Sequence, residues 1–385
     1  MAIAQTYPHW ETRLLIVITA VLVAFGIAAV YGASGVVAVQ NGDPGSAFAL
    51  RQLIGALLGA VVVMFVARID YRVWSTLAWW GVVLATTLLV AVLLPLPISQ
   101  EINGARRWLS IANVMFQPSE FAKLAIVIWA AKLAAKKSQK RPDEKTAQIR
   151  HFKLGILPFV AVTAPTAALI LVEPDLSTAF LYCLLVGIVL FAAGAKVGHF
   201  MLVGGVAFLL VWQLALQGYQ IERVSDFFSW NRDLATADWQ IQQSILGLGS
   251  GGFLGQGFGQ GMQKLGYLPY AYSDFIFSTI GEELGFFGAS ALIAFFGAFI
   301  WLGLRIARTA PDLFGSLLAA GITAMIGVTA MLHIAVTLGI VPTTGLPLPF
   351  ISYGRSNLLV SLGATGILMN IGMQRRISAP KRSEV

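Results

Sequence analysis

The sequence predicts an all-α fold, a polytopic integral membrane protein of about ten transmembrane helices. Of the 385 residues, 57% are hydrophobic and only 11% are charged, and the mean hydropathy is +0.77. Such a composition is incompatible with a surface that faces water. Apolar stretches of spanning length recur without strict alternation of polar and apolar residues, so they predict helices and not the strands of a barrel.

The apolar stretches give the positions of the predicted helices. These are residues 14–33, 50–67, 75–96, 118–135, 154–172, 176–195, 198–218, 275–304, 313–341 and 357–374. The first stretch is longer than the apolar region of a signal peptide, so we interpret it as an uncleaved span. We expect a single membrane domain over residues 1–385, with a transmembrane core at about 14–374.

The basic residues predict the orientation of this domain. With the N-terminus inside, most of the 26 Lys and Arg residues fall in inner loops, above all in a basic loop at 136–153. Because cytoplasmic loops carry an excess of positive charge, both termini and this loop are expected in the cytoplasm. The long loop at 219–274, between helices 7 and 8, is then extracytoplasmic, and its length favours a functional surface.

Composition also excludes several functions. The net charge of +8 is accounted for by membrane-flanking loops, so nucleic acid is not an expected partner. The one cysteine, Cys183, cannot build a disulfide framework or a cysteine metal site. Gly247, Gly249 and Gly252 match a dinucleotide-binding fingerprint, but no strand-helix-strand unit surrounds them. We expect these glycines to let the backbone turn tightly against a helix or a ligand.

Two ionisable residues open the predicted fourth helix. Pro118 fits a first helical turn, which places Glu120 and Lys123 three residues apart on one face, just inside the bilayer. Charge at that depth is costly unless it is paired or faces a wet cavity. The spacing therefore predicts a structural ion pair, part of a functional cavity, or both.

Arginines cluster at the predicted outer edge of the membrane. Arg106 and Arg107 lie beside Trp108, and Arg355 falls at the same depth. Their guanidinium groups could bind anionic lipid headgroups, or the diphosphate of a lipid-linked substrate, whose oxygens match the fork of donors. We favour the diphosphate.

Asp274 directly precedes the predicted eighth helix and has two possible roles. It could be the helix N-cap, which is worth about 1 kcal/mol. It could instead be a general base at the water–lipid boundary, where partial desolvation raises the pKa of a carboxyl group. Deeper in the helix, Glu282 and Glu283 could pair with Lys123 or bind backbone N–H groups. The aromatic run at 267–272, which precedes the helix, could form an interfacial belt or a platform on which a sugar stacks.

Six groups of residues carry a resemblance to a known family. They are NGARRW at 103–108, FQPSEFAK at 116–123, EPDL at 173–176, QIQQS at 240–244 with GSGG at 249–252, SDFIF at 273–277 with IGEELG at 280–285, and PLPFISYG at 347–354. Together with the ten-helix plan, they resemble the shape, elongation, division and sporulation family of bacterial cell-wall polymerases, the RodA/FtsW group. The segment at 263–269 resembles the division branch more than the elongation branch.

The resemblance implies a peptidoglycan glycosyltransferase that polymerises lipid II at the outer face of the bacterial cytoplasmic membrane. It implies that Asp274 is the catalytic residue. The residues expected to contribute to substrate binding are Arg106, Arg107, Glu120, Lys123, Gln243, Lys264, Ser352 and Arg355. No organic cofactor is expected, and the resemblance allows a divalent cation, Mg²⁺ or Mn²⁺.

The expected partners also follow from the resemblance. They are lipid II, the undecaprenyl-pyrophosphate-linked glycan, a class B penicillin-binding protein that acts as transpeptidase, and other membrane proteins of the divisome or elongasome. The chain departs from the family pattern at Tyr270 and Tyr272, where a glutamate and a histidine are usual, and at Arg355, where a glycine is common. These departures concern how the substrate is held and leave Asp274 in place.

Two other classes of function remain open. A lipid II flippase could use the same cationic cavity together with the intramembrane acids, and a scaffold would only position a transpeptidase. A base on the outer face favours the polymerase, because a transporter needs polar sites at the midplane with access to both sides. The sequence shows no discontinuous helices in inverted halves, which weighs against transport.

Overall fold

The computed structural model describes residues 9–102, 104–111, 114–139, 147–205 and 238–374. The helices are α1 (Trp10–Gln40), α2 (Ala47–Val66), α3 (Tyr71–Leu93), α4 (Pro118–Ser138), α5 (Leu157–Val172), α6 (Leu176–Ala192), α7 (Trp239–Ser250), α8 (Ile276–Thr309), α9 (Leu313–Thr337) and α10 (Arg355–Met373). Residues 197–205 are also helical.

The helical membrane class is confirmed. Within the described ranges, seven helices are long and apolar enough to cross a membrane, and α6 is a shorter apolar helix. Most of the predicted span at 198–218 lies outside the described residues, so the count of ten helices stays a prediction. The predicted loop at 219–274 is described only from residue 238, where it contains the helix α7 and a short 3-10 turn, Gln263–Leu265.

The segment at 97–117, between α3 and α4, contains an antiparallel sheet. Its strands are β1 (Ser99–Ile102), β2 (Ala105–Ile111) and β3 (Val114–Phe116), paired in chain order. Gly104, with a φ of 73°, makes the turn between β1 and β2. The register of β1 against β2 shifts between Gln100 and Glu101, which pair with Trp108 and Arg106 and leave Arg107 as the extra residue of a β-bulge.

The basic loop between α4 and α5 is shorter than the predicted 136–153. Helix α4 continues through Lys136 and Lys137, and Lys137 Nζ donates a hydrogen bond to the carbonyl oxygen of Leu154. A 3-10 turn, Gln148–Arg150, and a π turn, Phe152–Ile156, lead into α5. Residues 140–146 lie outside the described part of the chain.

Helix α10 lies at the centre of the bundle and packs against α2. Of the spanning helices α10 is the most enclosed, with 83% of its most apolar window buried, and α2 faces lipid over much of its surface. Small residues allow the close approach: a Cβ atom at Gly59 would lie 2.2 Å from Leu362 Cδ1. The packing of the two helices places the N-terminal end of α2 beside the loop that precedes α10.

Helix α8 is broken at Gly285, where φ is 67° and ψ is −165°. The segment 251–257, which we call the glycine loop, lies against the break. It accepts hydrogen bonds from the N–H groups of Phe286 and Phe287 and donates to the carbonyl oxygens of Glu282 and Glu283. Of the three glycines expected to turn the backbone tightly, Gly247 and Gly249 lie within α7 and Gly252, with a φ of 54°, lies in the glycine loop. The close approach to α8 is made by another glycine, since a Cβ atom at Gly255 would lie 2.2 Å from Glu283 O.

Candidate active site

Asp274 lies in a tight turn at the N-terminal end of α8. The N–H groups of Ser273, Asp274 and Phe275 all point to the carbonyl oxygen of Tyr270, at 3.0, 3.0 and 3.4 Å. Tyr270 has a φ of 55°, which closes the turn. The N-cap of α8 is Phe275, so the alternative that Asp274 is the N-cap is wrong by one residue. We call residues 270–275 the aspartate turn.

Aromatic rings pack beneath the aspartate turn. The ring of Phe48, from α2, lies 4.9 Å from each of Tyr272 and Tyr353, centroid to centroid. Burial and the neighbouring Tyr270, Tyr353 and Asp274 raise the pKa of Tyr272, which is therefore a neutral phenol at pH 7. Tyr272 thus supports the turn from below, whereas Tyr270 is 43% exposed.

Ser352 joins the aspartate turn to the loop that precedes α10. Its Oγ donates a 2.6 Å hydrogen bond to Ser273 O and accepts one of 2.8 Å from Leu348 N. The N–H of Tyr353 donates to Tyr272 O at 3.0 Å. Ser352, expected to bind substrate, is only 3% exposed and holds the backbone beside Asp274.

A second contact with Asp274 comes from the loop between α9 and α10. A Cβ atom at Gly345 would lie 3.8 Å from Asp274 Oδ2, and Gly345 has a φ of 66°. His333 of α9 holds the next residue, since its Nδ1 lies 2.8 Å from Leu346 O. His333 therefore sets the position of a loop that borders the candidate catalytic carboxylate.

The predicted pair at the start of α4 is confirmed. Lys123 Nζ lies 2.8 Å from Glu120 Oε1, and both side chains are buried. Asn357 of α10 donates a 3.0 Å hydrogen bond to the second oxygen of Glu120. The pair therefore faces the protein interior and links α4 to α10.

The deeper acids of α8 have other partners than Lys123. Glu283 Oε1 pairs with Lys264 Nζ at 2.8 Å, so Lys264, expected to bind substrate, is buried in an ion pair. Glu282 accepts hydrogen bonds from the N–H groups of Met262 and Gln263, as the second alternative for these acids predicted. Both carboxylates therefore bind residues 262–264, the segment after the glycine loop, to α8.

Gln243 lies on the buried face of α7. Its neighbour Ser244 donates a hydrogen bond to Thr337 O at 2.8 Å, and Ser278 Oγ donates to Ser244 O at 2.7 Å. The exposed fraction of Gln243 is 7%. The structure therefore places Gln243 where α7 packs against α8 and α9.

The predicted arginines lie at separate places. Arg107 donates hydrogen bonds to the carbonyl oxygens of Glu173 and Pro174, at 2.8 and 2.6 Å, and so clamps the corner between α5 and α6. Arg106 pairs with Glu101 at 3.2 Å and lines a cavity of about 270 Å³ at the end of the sheet. The stem of Arg355 packs against Gly55 of α2.

Sequence reasoning missed Glu173 as a site of interest. Both of its carboxylate oxygens are buried without a hydrogen-bond partner in the described structure. Burial, reinforced by the nearby Asp175 and opposed by Arg107, raises the pKa of Glu173 to about 8. Asp175 itself caps α6 by accepting a 3.0 Å hydrogen bond from Thr178 N. The sequence does contain a pattern that indicates this pair, because Glu173 and Asp175 flank a proline at the corner between two helices.

A divalent cation stays a prediction. The described residues contain no group of three His, Cys, Asp or Glu that could hold a metal ion. Mg²⁺ is commonly held by one or two carboxylates together with substrate phosphates, so a single aspartate beside a diphosphate fits this donor set. Asp274 is the residue that would supply such a ligand.

The fold and the site define a class of protein. It is a polytopic membrane protein whose helix bundle contains buried ion pairs and carries a half-buried carboxylate, that of Asp274, in a tight turn at one end. Residues 12–377 match the family model of FtsW, RodA and SpoVE, described as cell cycle protein. The chain belongs to this family.

Curated relatives and solved structures agree with this assignment. The chain is 40% identical over 364 residues to a probable peptidoglycan glycosyltransferase FtsW of Trichlorobacter lovleyi, covering 94% of this chain and 93% of that protein. It is 37% identical to stage V sporulation protein E of Bacillus subtilis, with 94% and 97% covered.

Two solved structures share the fold. One belongs to a peptidoglycan synthase complex, described as showing the structural coordination of polymerization and crosslinking. Its TM-score is 0.73 at 27% sequence identity, and the match covers 93% of this chain and 96% of that chain. The crystal structure of Thermus thermophilus rod shape determining protein RodA has a TM-score of 0.67 at 26% identity, with 94% and 97% covered. The identities to the FtsW and sporulation relatives are higher, which puts this chain nearer to FtsW than to RodA.

Proposed function

We propose that this protein is a peptidoglycan glycosyltransferase that polymerises lipid II into β-1,4-linked glycan strands. The observation that carries the proposal is the aspartate turn, which holds one carboxylate at the outer end of α8. The names of the FtsW relatives support the reaction. The similarity to a synthase complex that coordinates polymerization with crosslinking supports polymerisation.

The proposed reaction is a displacement at an anomeric carbon. The 4-hydroxyl group of the incoming N-acetylglucosamine attacks the anomeric carbon at the end of the growing chain. A new glycosidic C–O bond forms, the bond to the lipid diphosphate breaks, and the carboxylate of Asp274 takes the hydroxyl proton. Attack from the side opposite the diphosphate inverts the centre and gives the β linkage.

The leaving diphosphate needs positive charge. Arg355 lies at the start of α10, directly after the loop that Ser352 joins to the aspartate turn. Arg106 pairs with Glu101 and lines the cavity at the end of the sheet, and Arg107 binds the α5–α6 corner. When bound, Mg²⁺ or Mn²⁺ would neutralise part of the diphosphate charge. The buried Lys123 and Lys264 act by shaping the interior.

The break in α8 does not favour the flippase. Discontinuous helices bind substrates in transporters through the free N–H and C=O groups at the break. Here the glycine loop makes hydrogen bonds with the N–H groups of Phe286 and Phe287 and with the carbonyl oxygens of Glu282 and Glu283. One broken helix is not a pair of discontinuous helices in inverted halves, and these N–H and C=O groups at the break already have hydrogen-bond partners.

The proposed location is the bacterial cytoplasmic membrane, with both termini inside and the aspartate turn outside. The proposed partner is a class B penicillin-binding protein that crosslinks the product, within the divisome.

Cysteine labelling checks the orientation: in a Cys183→Ser background, Gln260→Cys should react with a membrane-impermeant maleimide on intact cells and Lys153→Cys should not. The reverse pattern would contradict the orientation.

Purified protein with labelled lipid II tests the proposed activity. We expect glycan strands on a gel, in larger amount when a class B penicillin-binding protein is present. Lipid II that moves across proteoliposome membranes without forming polymer would support the flippase. Neither polymer nor movement, with the transpeptidase bound, would support the scaffold.

A further inference from the structure

Gln52 is a buried amide on a helix that otherwise faces lipid over much of its surface. Its exposed fraction is 0%, and it lies on the face of α2 that packs against α10. Its Nε2 donates a 3.0 Å hydrogen bond to Ser352 O, and its Oε1 accepts one of 3.4 Å from Gly354 N. One side chain thus uses both its donor and its acceptor on the backbone of the loop before α10.

The loop held by Gln52 is the one that supports the aspartate turn. Ser352, whose carbonyl oxygen accepts from Gln52, donates its Oγ to Ser273 O, and Ser273 directly precedes Asp274. Next to it, Tyr353 N donates to Tyr272 O. Phe48, one helical turn before Gln52, packs on the rings of both tyrosines. The path from α2 to Asp274 therefore consists of hydrogen bonds and ring contacts.

We propose that Gln52 is a positioning residue for the reaction at Asp274, acting through Ser352. The inference rests on the proposed function, in which Asp274 accepts a proton from a sugar hydroxyl. A general base must lie within about 2.6–3.2 Å of the proton donor, and a misplacement of about 1 Å can cost roughly 10²-fold in rate. A residue that never touches substrate can control the rate in this way.

A glutamine is suited to this place because it offers one donor and one acceptor without charge. In the low dielectric of a bilayer-embedded interface, the N–H of Gly354 and the carbonyl oxygen of Ser352 would each be left unsatisfied by an apolar residue. Gln52→Leu keeps a similar volume and removes both hydrogen bonds. Gln52→Asn keeps the amide but is one methylene shorter, so it cannot reach both groups from the same backbone.

The chain contains a matched control at the cytoplasmic end of the same helix pair. Asn370 of α10 donates a 2.8 Å hydrogen bond to Ala67 O and accepts one of 2.9 Å from Tyr71 N. It is a buried amide that joins α10 to the end of α2, as Gln52 does, but it lies roughly 24 Å from residue 354 along the helix axis. A purely structural clamp should behave like Asn370.

The test compares Gln52→Leu, Gln52→Asn and Asn370→Leu with the wild type in full-length detergent-solubilised protein. The measurements are kcat and KM for lipid II polymerisation, thermal melting, and amide hydrogen exchange of the peptide that covers 270–276. We expect both Gln52 variants to lower kcat by about tenfold or more. We also expect little change in KM and faster exchange in 270–276. Asn370→Leu should lower the melting temperature yet leave kcat and that exchange unchanged.

A double-mutant cycle completes the test. If Gln52 acts through Ser352, Gln52→Leu combined with Ser352→Ala should have the kcat of the slower single variant and not the product of the two losses. A kcat of wild-type size in both Gln52 variants, or an equal loss in Asn370→Leu, overturns the inference. If the wild-type protein makes no polymer, the proposed function is contradicted and kcat cannot test Gln52. Amide hydrogen exchange in residues 270–276 then tests the positioning role alone. Equal exchange rates in Gln52→Leu and the wild type would overturn that role.

Discussion

Lys123 Nζ lies 2.8 Å from Glu120 Oε1, one turn apart on α4, with only 2% and 3% of the two side chains exposed. Asn357 of α10 donates to the other carboxylate oxygen at 3.0 Å. The arrangement satisfies the acid from two helices, so that neither charge is left alone in the bundle. A pair of this kind stabilises the fold only while both members are present.

We therefore expect each single replacement at this pair to cost more than the double replacement. Glu120→Gln leaves the ammonium group of Lys123 without its counter-charge, and Lys123→Met leaves the carboxylate, at about 3–5 kcal/mol each. The double variant removes both charges and should melt closer to the wild type. Single variants that express and melt like the wild type would contradict the interpretation of a coupled pair.

The Glu120–Lys123 pair was predictable because it depends only on helical spacing and on where the apolar stretch begins. The same local logic predicted most of the spanning helices to within a few residues, but α1 continues to Gln40, beyond the predicted end at 33, and α7 lies in a segment predicted to be a loop. The partners of Lys264 and Ser352 were not predictable, because Glu283 and Ser273 come from other segments of the chain. Spacing along the sequence carries no information about such tertiary contacts.

The sheet at 99–116 escaped prediction for a different reason. Its strands are short, and a hairpin of this size gives a weak pattern of alternation beside spanning helices. Its consequence for the site is large, because Arg106 pairs with Glu101 of β1 whereas Arg107 binds the corner between α5 and α6, although the two arginines looked like one binding unit in the sequence. The break at Gly285 was equally invisible, since the apolar pattern of α8 runs through it unchanged.

The glycine loop should tolerate no side chain at Gly255. Its φ of 81° is unfavourable for other residues, and a Cβ atom would lie 2.2 Å from Glu283 O. Gly255→Ala should therefore lose about 1–3 kcal/mol of stability. Gly297→Ala is the control: it lies in α8 with open space around a Cβ atom, so alanine should leave thermal melting unchanged or raise it slightly. Equal melting of the two variants would contradict the packing of the loop.

Glu173 should make the stability of the protein depend on pH. Its pKa is raised from 4.5 to about 8 in the folded protein. Below pH 4.5 the carboxyl group is protonated in both the folded and the unfolded chain, so it contributes no difference. Between about pH 4.5 and 8 only the unfolded chain ionises it, so the free energy of unfolding falls as pH rises.

Replacement by glutamine removes this dependence. The melting temperature of Glu173→Gln should exceed that of the wild type by an amount that grows from pH 5 to pH 8. Glu101→Gln, at an exposed carboxylate paired with Arg106, serves as the control for replacing a carboxylate by an amide at the same corner of the fold. If the melting temperatures of Glu173→Gln and the wild type differ by the same amount from pH 5 to pH 8, Glu173 ionises normally.

Asp274 is the residue on which the proposed chemistry depends. Asparagine keeps the size of the side chain but cannot accept a proton, so Asp274→Asn should fold and bind lipid II while its polymerisation rate falls by about 10² or more. Asp238→Asn is a matched control, because Asp238 caps α7 through a hydrogen bond from Gln240 N that asparagine can also accept. It should polymerise at the wild-type rate.

The most direct measurement is the initial rate of lipid II polymerisation by Asp274→Asn and wild-type protein from matched preparations, with melting and lipid II binding recorded on the same samples. We expect a rate lower by about two orders of magnitude or more for Asp274→Asn, with melting and binding preserved. Polymer made by Asp274→Asn at close to the wild-type rate would show that the carboxylate is not the base, and would contradict the proposed mechanism.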